Sequence, residues 1–234
     1  MVSLLSLMHG SQANYRVKNE RLLIPTRWMF NKEVFSAIEE DTYNILNTPK
    51  DSGKLNPSDL SSLKYTKFEC SDVYSIPLFN EEFISLINNE ITNIKPWFSV
   101  NEDEPENARI QEFVLSTKCP SWHLCMLQVT LKYINAIFYS LFGRFVSDGT
   151  IQIANYNPKE ITKTAWHHDQ DSSITMVVPL NTGEYEGGGT EFYNRGIVEP
   201  LPSGHGLIFP AYSHVHRGLP VTNGDRYLLV FWMK

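Results

Sequence analysis

Apolar residues recur along this chain with two different periods, and the change between them falls near Phe145. Before it, apolar residues return every three or four positions, the spacing of helices with one buried face. Residues 31–46 place Phe35, Ile38, Thr42, Ile45 and Leu46 on such a face, and Pro49 closes the segment. Residues 47–62, rich in Asn, Pro, Asp, Ser and Gly, read as a surface connection. Asn80 has the side-chain oxygen that caps a second helix, Glu81 and Glu82 suit its positive end, and Phe83, Ile87 and Ile91 follow. After an acidic loop at 101–107, Leu124, Leu127, Leu131, Ile134, Phe138 and Leu141 form the strongest helical pattern, ending at Gly143.

Beyond Phe145 the pattern shortens to β-prone runs broken by turn residues, at 150–156, 173–180, 190–193, 206–209 and 226–233. Such spacing predicts a sandwich or barrel. The last run, Tyr227-Leu228-Leu229-Val230-Phe231-Trp232-Met233, is apolar on both faces and is therefore expected in the interior of a sheet. Helices first and strands second predict one α+β fold with helices packed on a sheet system.

Composition narrows the function without naming it. The chain has 234 residues, 42% hydrophobic and 20% charged, which suits a packed globule and not a disordered or fibrous chain. Its net charge of −6 gives no general attraction to nucleic acid or to anionic membranes. No uninterrupted apolar run approaches the roughly 20 residues of a membrane span, and Met1 to Gly10 lacks the basic start of a signal peptide. Three cysteines, Cys70, Cys119 and Cys125, cannot build a disulfide framework and suit a reducing compartment, so a cytoplasmic location is expected.

The chemistry concentrates in the second half. In Trp166-His167-His168-Asp169 an extended backbone turns His167 and Asp169 to one face and His168 to the other. A His-x-Asp pair alone is common by chance. Here it is followed by His214-Val215-His216-Arg217-Gly218 and then by Arg226 in Asn223-Gly224-Asp225-Arg226-Tyr227. Two imidazoles and one carboxylate on one face of a ferrous ion leave three positions open, the donor set of non-haem iron oxygenases. An arginine in the same cavity holds a far carboxylate through two charge-assisted hydrogen bonds. His214 competes with His216 for the second imidazole position, since residues i and i+2 share a strand face.

Other features read more plainly. Cys119, Cys125 and His123 lack a fourth ligand and are expected to be structural. The run Glu186-Gly187-Gly188-Gly189 lets a turn and the strand at 190–193 approach the mouth of the site, or is simply a tight turn. The stretch 218–225 is expected to return the chain so that Arg226 lies on a strand beside that of His216. Tyr156 is a candidate hydrogen-bond partner for a carboxylate, or a sheet aromatic.

With His167-His168-Asp169, Glu186-Gly187-Gly188-Gly189, His214-Val215-His216 and Gly224-Asp225-Arg226-Tyr227 in this order, the sequence resembles the catalytic domain of procollagen lysyl hydroxylases. These sit within the iron- and 2-oxoglutarate-dependent dioxygenases. Asp72 to Phe79 and Asn155 to Pro158 also resemble family segments, so the likeness runs from about Cys70 to Lys234. The resemblance implies a double-stranded β-helix of the jelly-roll or cupin type. It divides the chain into an N-terminal extension, 1–69, partly helical and packed on the core, and a dioxygenase domain, 70–234.

The resemblance also implies His167, Asp169 and His216 as iron ligands, Arg226 as the anchor of 2-oxoglutarate, and Tyr156 as a contact to the same oxo acid. Implied with them are Fe(II), 2-oxoglutarate as cosubstrate and ascorbate as reductant. The implied reaction hydroxylates a lysine side chain in a peptide, collagen-like X-Lys-Gly included, with decarboxylation of 2-oxoglutarate to succinate, and family precedent favours a homodimer. Arg226 leans toward the lysyl type, because prolyl hydroxylases usually carry lysine there. Val177 and Thr190 depart from the family's asparagine and cysteine. The rival readings are a prolyl hydroxylase, a zinc hydrolase built on the same donors, and a metal-free binding module.

Overall fold

This computed structural model describes residues 14–48, 56–102, 106 and 109–234. Helix α1 (Lys32–Asn47) starts where the Asn31 side chain accepts from the Glu33 and Val34 N–H groups. Helix α2 (Glu81–Ile94) starts where Asn80 accepts from the Phe83 N–H, with Glu81 and Glu82 in the first turn. A four-residue helix α3 (Leu115–Lys118) leads into the longest helical run. That run joins α4 (Pro120–Val129), a π-helical turn (Thr130–Ile134) and α5 (Asn135–Phe142), ending at Gly143 with φ +65°.

The helices form as the periodicity predicts, but two of the expected faces are rotated. In the long run the core takes Trp122, Cys125, Met126, Val129, Tyr133, Ile134, Ile137 and Phe138, whereas Leu124 is 58% exposed and Leu131 is 38% exposed. The bulky Trp122 and the sulfur-bearing Cys125 and Met126 define the buried stripe, and a leucine count alone overlooks it. In α1 the buried stripe is Val34, Phe35, Ala37, Ile38 and Asp41, and Leu46 is exposed. Residues 120–142 are long and apolar enough to cross a membrane by length and composition, yet half of that run is buried inside the fold.

The expected surface connection is partly tied down. Its described part, 56–62, turns back so that the Ser61 and Ser62 N–H groups donate to the buried Asp41 carboxylate at 2.6 and 2.7 Å. The segment before α1 is held similarly, since the buried Glu90 accepts from the Tyr15 hydroxyl and from the Lys18 N–H. Met1 to Gly10 lies outside the described residues.

Twelve strands follow in chain order among the described residues: β1 (Lys67–Cys70), β2 (Val73–Pro77), β3 (Gln111–Val114), β4 (Gly149–Tyr156), β5 (Ile174–Pro179), β6 (Glu186–Gly187), β7 (Thr190–Phe192), β8 (Gly196–Val198), β9 (His205–Pro210), β10 (His216–Gly218), β11 (Val221–Asn223) and β12 (Arg226–Met233). Seven build one antiparallel sheet in the order β1-β2-β9-β5-β12-β4-β3. Facing it are the three-stranded sheet β10-β7-β8 and the pair β11-β6. Strand β1 crosses the boundary expected at residue 69. Strand β12 lies inside the sheet between β5 and β4, where an all-apolar strand belongs.

Alternation across the large sheet creates its two functions. Ile151 and Ile153 of β4, Leu229, Phe231 and Met233 of β12, and Ile174, Met176 and Val178 of β5 share one continuous core with the helices. Each fully buried side chain of this size contributes about 1.5–3 kcal/mol. The intervening residues, Tyr156, Arg226, Leu228, Val230 and Val177, face the other way and line a cavity of about 770 Å³ between the large sheet and the smaller ones. This is the double-stranded β-helix arrangement, with the helices on its outer face.

Candidate metal centre and anchor

One end of the cavity gathers two imidazoles and a carboxylate. The segment carrying His167 pairs with β10: the His167 N–H donates to the His216 carbonyl at 3.0 Å, and the His216 N–H donates back at 2.8 Å. The ligand atoms of His167, Asp169 and His216 lie within 4.8 Å of one another. Among the described residues this is the one such group of histidine, cysteine and acidic side chains.

Hydrogen bonds set which atoms face the centre. His167 Nδ1 lies 2.9 Å from the Ala165 carbonyl, and His216 Nδ1 lies 2.9 Å from the His214 carbonyl. A carbonyl only accepts, so both Nδ1 atoms carry the proton and both Nε2 atoms present a lone pair. These Nε2 atoms are 3.8 and 3.9 Å from the Asp169 carboxylate. Thr175 Oγ1 donates to Asp169 Oδ2 at 2.5 Å and holds it in place. Burial pushes the His216 imidazole down to about 4, against the pull of Asp169, which favours the neutral ligand form. Two neutral nitrogens and one anionic oxygen on one side of a gap are a donor set that fits a divalent first-row metal.

His214 is separated from His216 by its partners. Its Nε2 lies 2.8 Å from the Ser71 carbonyl and its Nδ1 lies 3.0 Å from Ser213 Oγ, so both ring nitrogens are occupied away from the centre. His168 turns to Tyr212, ring centroids 5.5 Å apart, although it too borders the cavity. His123, Cys119 and Cys125 do not form a metal group, and burial pushes the Cys125 thiol up to about 12. His9 lies outside the described residues.

Arg226 enters the cavity from the large sheet. Its strand lies beside β4 and β5, not beside the strand of His216 as the turn signal predicted. The reason is that β11 pairs with β6, so the chain crosses from the small sheets to the large one before Arg226. Arg226 is 3% exposed, its Nη1 donates to the Gly189 carbonyl at 3.1 Å, and its Nε is buried without a partner. No ion pair joins it to a carboxylate among the described residues. A buried guanidinium in this state is set to receive an anion.

The surroundings of Arg226 are shaped by glycine. Tyr156 is its cross-strand partner, with the guanidinium carbon 5.5 Å from the ring centroid. Gly218 lies so near Tyr156 that a Cβ there would stand 3.2 Å from its hydroxyl. Gly188 lies against Arg226, where a Cβ would stand 3.1 Å from Cδ. The glycine run thus presses on the arginine, deeper than the cavity mouth expected for it, while Thr190 lines the cavity. Sequence reading missed Thr175 and also Tyr185, whose hydroxyl is buried without a partner and whose ring centroid lies 5.9 Å from the Arg226 guanidinium carbon. Only its place beside the glycine run hints at Tyr185.

Comparison with known proteins is consistent with this geometry. No protein-family model matches the chain. The curated proteins similar in sequence are procollagen lysine hydroxylases. The human multifunctional procollagen lysine hydroxylase and glycosyltransferase LH3 is 30% identical over 172 residues, covering 69% of this chain and 23% of its own length. The mouse procollagen-lysine,2-oxoglutarate 5-dioxygenase 1 is 27% identical over 210 residues, covering 82% and 28%. The chain therefore spans about a quarter of the length of these relatives.

Among solved structures, a 2OG-Fe(II) oxygenase-family oxidoreductase from Burkholderia pseudomallei aligns at a TM-score of 0.53 with 15% identity, over 70% of this chain and 85% of that one. A Trichoplax adhaerens prolyl hydroxylase, in complex with a hypoxia inducible factor peptide fragment, aligns at 0.58 with 10% identity, over 86% and 90%. The fold is that of the 2-oxoglutarate- and iron-dependent oxygenases.

Proposed function

We propose that this chain, a homologue of procollagen lysine hydroxylases, is an Fe(II)- and 2-oxoglutarate-dependent dioxygenase that hydroxylates a lysine side chain within a peptide. The observation that carries the reading is the convergence of the His167, Asp169 and His216 donors with a buried, unpaired Arg226 in one cavity. A hydrolytic metal site has no need of that arginine.

Each residue's part follows from its position. His167 and His216 would hold the metal through Nε2, and Asp169 would supply the only anionic protein ligand. Thr175 keeps the carboxylate oriented toward them. Arg226 would bind the far carboxylate of 2-oxoglutarate, and Tyr156 beside it would add a hydroxyl contact. Iron held there with 2-oxoglutarate would supply the oxidising power of dioxygen, one oxygen atom ending in succinate as CO2 is lost from the oxo acid and the other in a substrate C–H bond. We include ascorbate as reductant and a homodimer in the proposal, both on family precedent.

The test is mass spectrometry of X-Lys-Gly and X-Pro-Gly peptides after incubation with protein, Fe(II), 2-oxoglutarate, ascorbate and oxygen, with succinate measured alongside. One added oxygen on lysine is expected. Oxygen on proline replaces the substrate with that of a prolyl hydroxylase. Succinate without peptide oxidation discards both substrates, and neither product with iron bound rejects the dioxygenase.

A further inference from the structure

The backbone ladder between β5 and β12 stops one residue short of Arg226. Leu228 pairs with Pro179, and at the next position the Leu180 N–H donates to the Tyr227 carbonyl at 3.0 Å. A regular antiparallel pair would return the bond, from the Tyr227 N–H to the Leu180 carbonyl. Here that carbonyl is taken by the Asn88 side chain of α2, whose Nδ2 donates to it at 2.7 Å. The Tyr227 N–H turns to a side chain instead and donates to Asn181 Oδ1 at 2.9 Å.

The same amide reaches across Arg226 to its other side. Asn181 Nδ2 donates to the Asp225 carbonyl at 2.8 Å and lies 3.3 Å from Glu184 Oε2, and the residue is buried. The Asp225 carbonyl belongs to the peptide group before the Arg226 Cα, and the Tyr227 N–H belongs to the peptide group after it. Because each peptide group is planar, holding both fixes the φ and ψ that aim the arginine side chain. Such a hold matters at this place. Arg226 is the first residue of β12 and its partner Tyr156 is the last of β4, and strand ends open more readily than strand centres. The guanidinium also sits at the end of a long stem, with Nη1 on the Gly189 carbonyl and Nε unpartnered, so a small rotation at the Cα displaces it.

We infer that Asn181 is a positioning residue for Arg226. It does not line the cavity, so it acts on the oxo acid only through the arginine whose backbone it holds. The inference rests on the 2-oxoglutarate reading proposed above and adds to it the side chain that sets the pose of the anchor.

The experiment is a double-mutant cycle on the full chain. Mn(II) affinity, and 2-oxoglutarate affinity at saturating Mn(II), are measured by calorimetry for the wild type, Asn181→Ala, Arg226→Ala and the double variant, with circular dichroism of each. Asn181→Ala is expected to weaken 2-oxoglutarate binding about tenfold and to keep Mn(II) affinity within about threefold. In the Arg226→Ala background the same substitution is expected to change 2-oxoglutarate affinity by less than about threefold, because the group it positions is gone. Thr182→Ala deletes the neighbouring bond to the Leu201 carbonyl, 2.7 Å long, and is expected to leave 2-oxoglutarate affinity unchanged. Asn181→Ser, the milder lesion, takes the same readouts if the alanine variant does not fold. Equal losses in both arginine backgrounds, a matching loss in Thr182→Ala, or a parallel loss of Mn(II) affinity makes Asn181 a general loop tie and overturns the inference. Full 2-oxoglutarate affinity in Asn181→Ala also overturns it and leaves the dioxygenase reading standing. A wild type that binds Mn(II) but not 2-oxoglutarate overturns both.

Discussion

His167 and His216 exchange both backbone hydrogen bonds, at 3.0 and 2.8 Å, and their rings stand 4.4 Å apart. A paired bridge of this kind is a narrow antiparallel contact between segments 49 residues apart in the chain. It places the two imidazoles on the same side without help from either side chain. The carboxylate of Asp169 then needs only the Thr175 hydroxyl to meet them.

Removing Asp169 takes away the centre's anionic donor. Asp169→Ala is expected to weaken Mn(II) or Fe(II) binding by at least about 100-fold and to abolish succinate formation, with the fold retained. Metal titration by calorimetry, beside circular dichroism, checks this. Unchanged metal affinity would reject the ligand assignment.

Thr175 acts through Asp169. Thr175→Val keeps the shape and loses the hydroxyl that donates to Oδ2. Metal affinity should fall about 10- to 100-fold while 2-oxoglutarate affinity, measured at saturating Mn(II), stays within about threefold. Equal loss of both would place Thr175 in general packing instead.

Arg226→Ala should act in the opposite sense. The guanidinium is buried and unpaired, so its removal leaves the metal donors intact and deletes the anion contact. Metal affinity should hold, and 2-oxoglutarate affinity should fall by about 30-fold or more, the usual cost of losing one member of a buried charge pair. Titrating the oxo acid against the Mn(II)-loaded protein reads both.

Gly188 has φ +79°, and a Cβ would stand 3.1 Å from Arg226 Cδ and 3.2 Å from Tyr185 Cε2. Gly188→Ala is therefore expected to lower the thermal midpoint by about 2–6 °C and to weaken 2-oxoglutarate binding about tenfold by displacing the arginine. Full affinity in the variant would show that Arg226 has room to move.

The rotated face of the long helix is open to a direct check by urea unfolding. Met126 is fully buried and Leu124 is 58% exposed. Met126→Ala should cost about 2–5 kcal/mol, and Leu124→Ala should stay within about 0.5 kcal/mol. The reverse order would return the leucine stripe to the core.

Much of this molecule is legible in the sequence because the relevant physics is local. The caps at Asn80 and Gly143, the helical period and the all-apolar β12 depend on neighbours a few residues apart, and each appears in the structure where the pattern places it. His-x-Asp, a later histidine and a following arginine were likewise visible as a set. Residues alone left His214 and His216 equivalent, since both lie on one strand face. The family resemblance favours His216, and the fold supplies the physical reason, because Ser71 and Ser213 occupy both nitrogens of His214.

What tertiary structure decided are the relationships between strands distant in sequence. No local pattern states that Asn181 reaches the peptide groups on both sides of Arg226, that Thr175 reaches Asp169, or that β11 and β6 pair and carry the chain across to Arg226. The short strands β6, β10 and β11 have too few residues to show a period. Sequence by itself determined which chemical groups this protein holds and the elements that bear them. Register and packing decided which groups meet, because a one-residue shift in strand pairing turns every side chain to the opposite face.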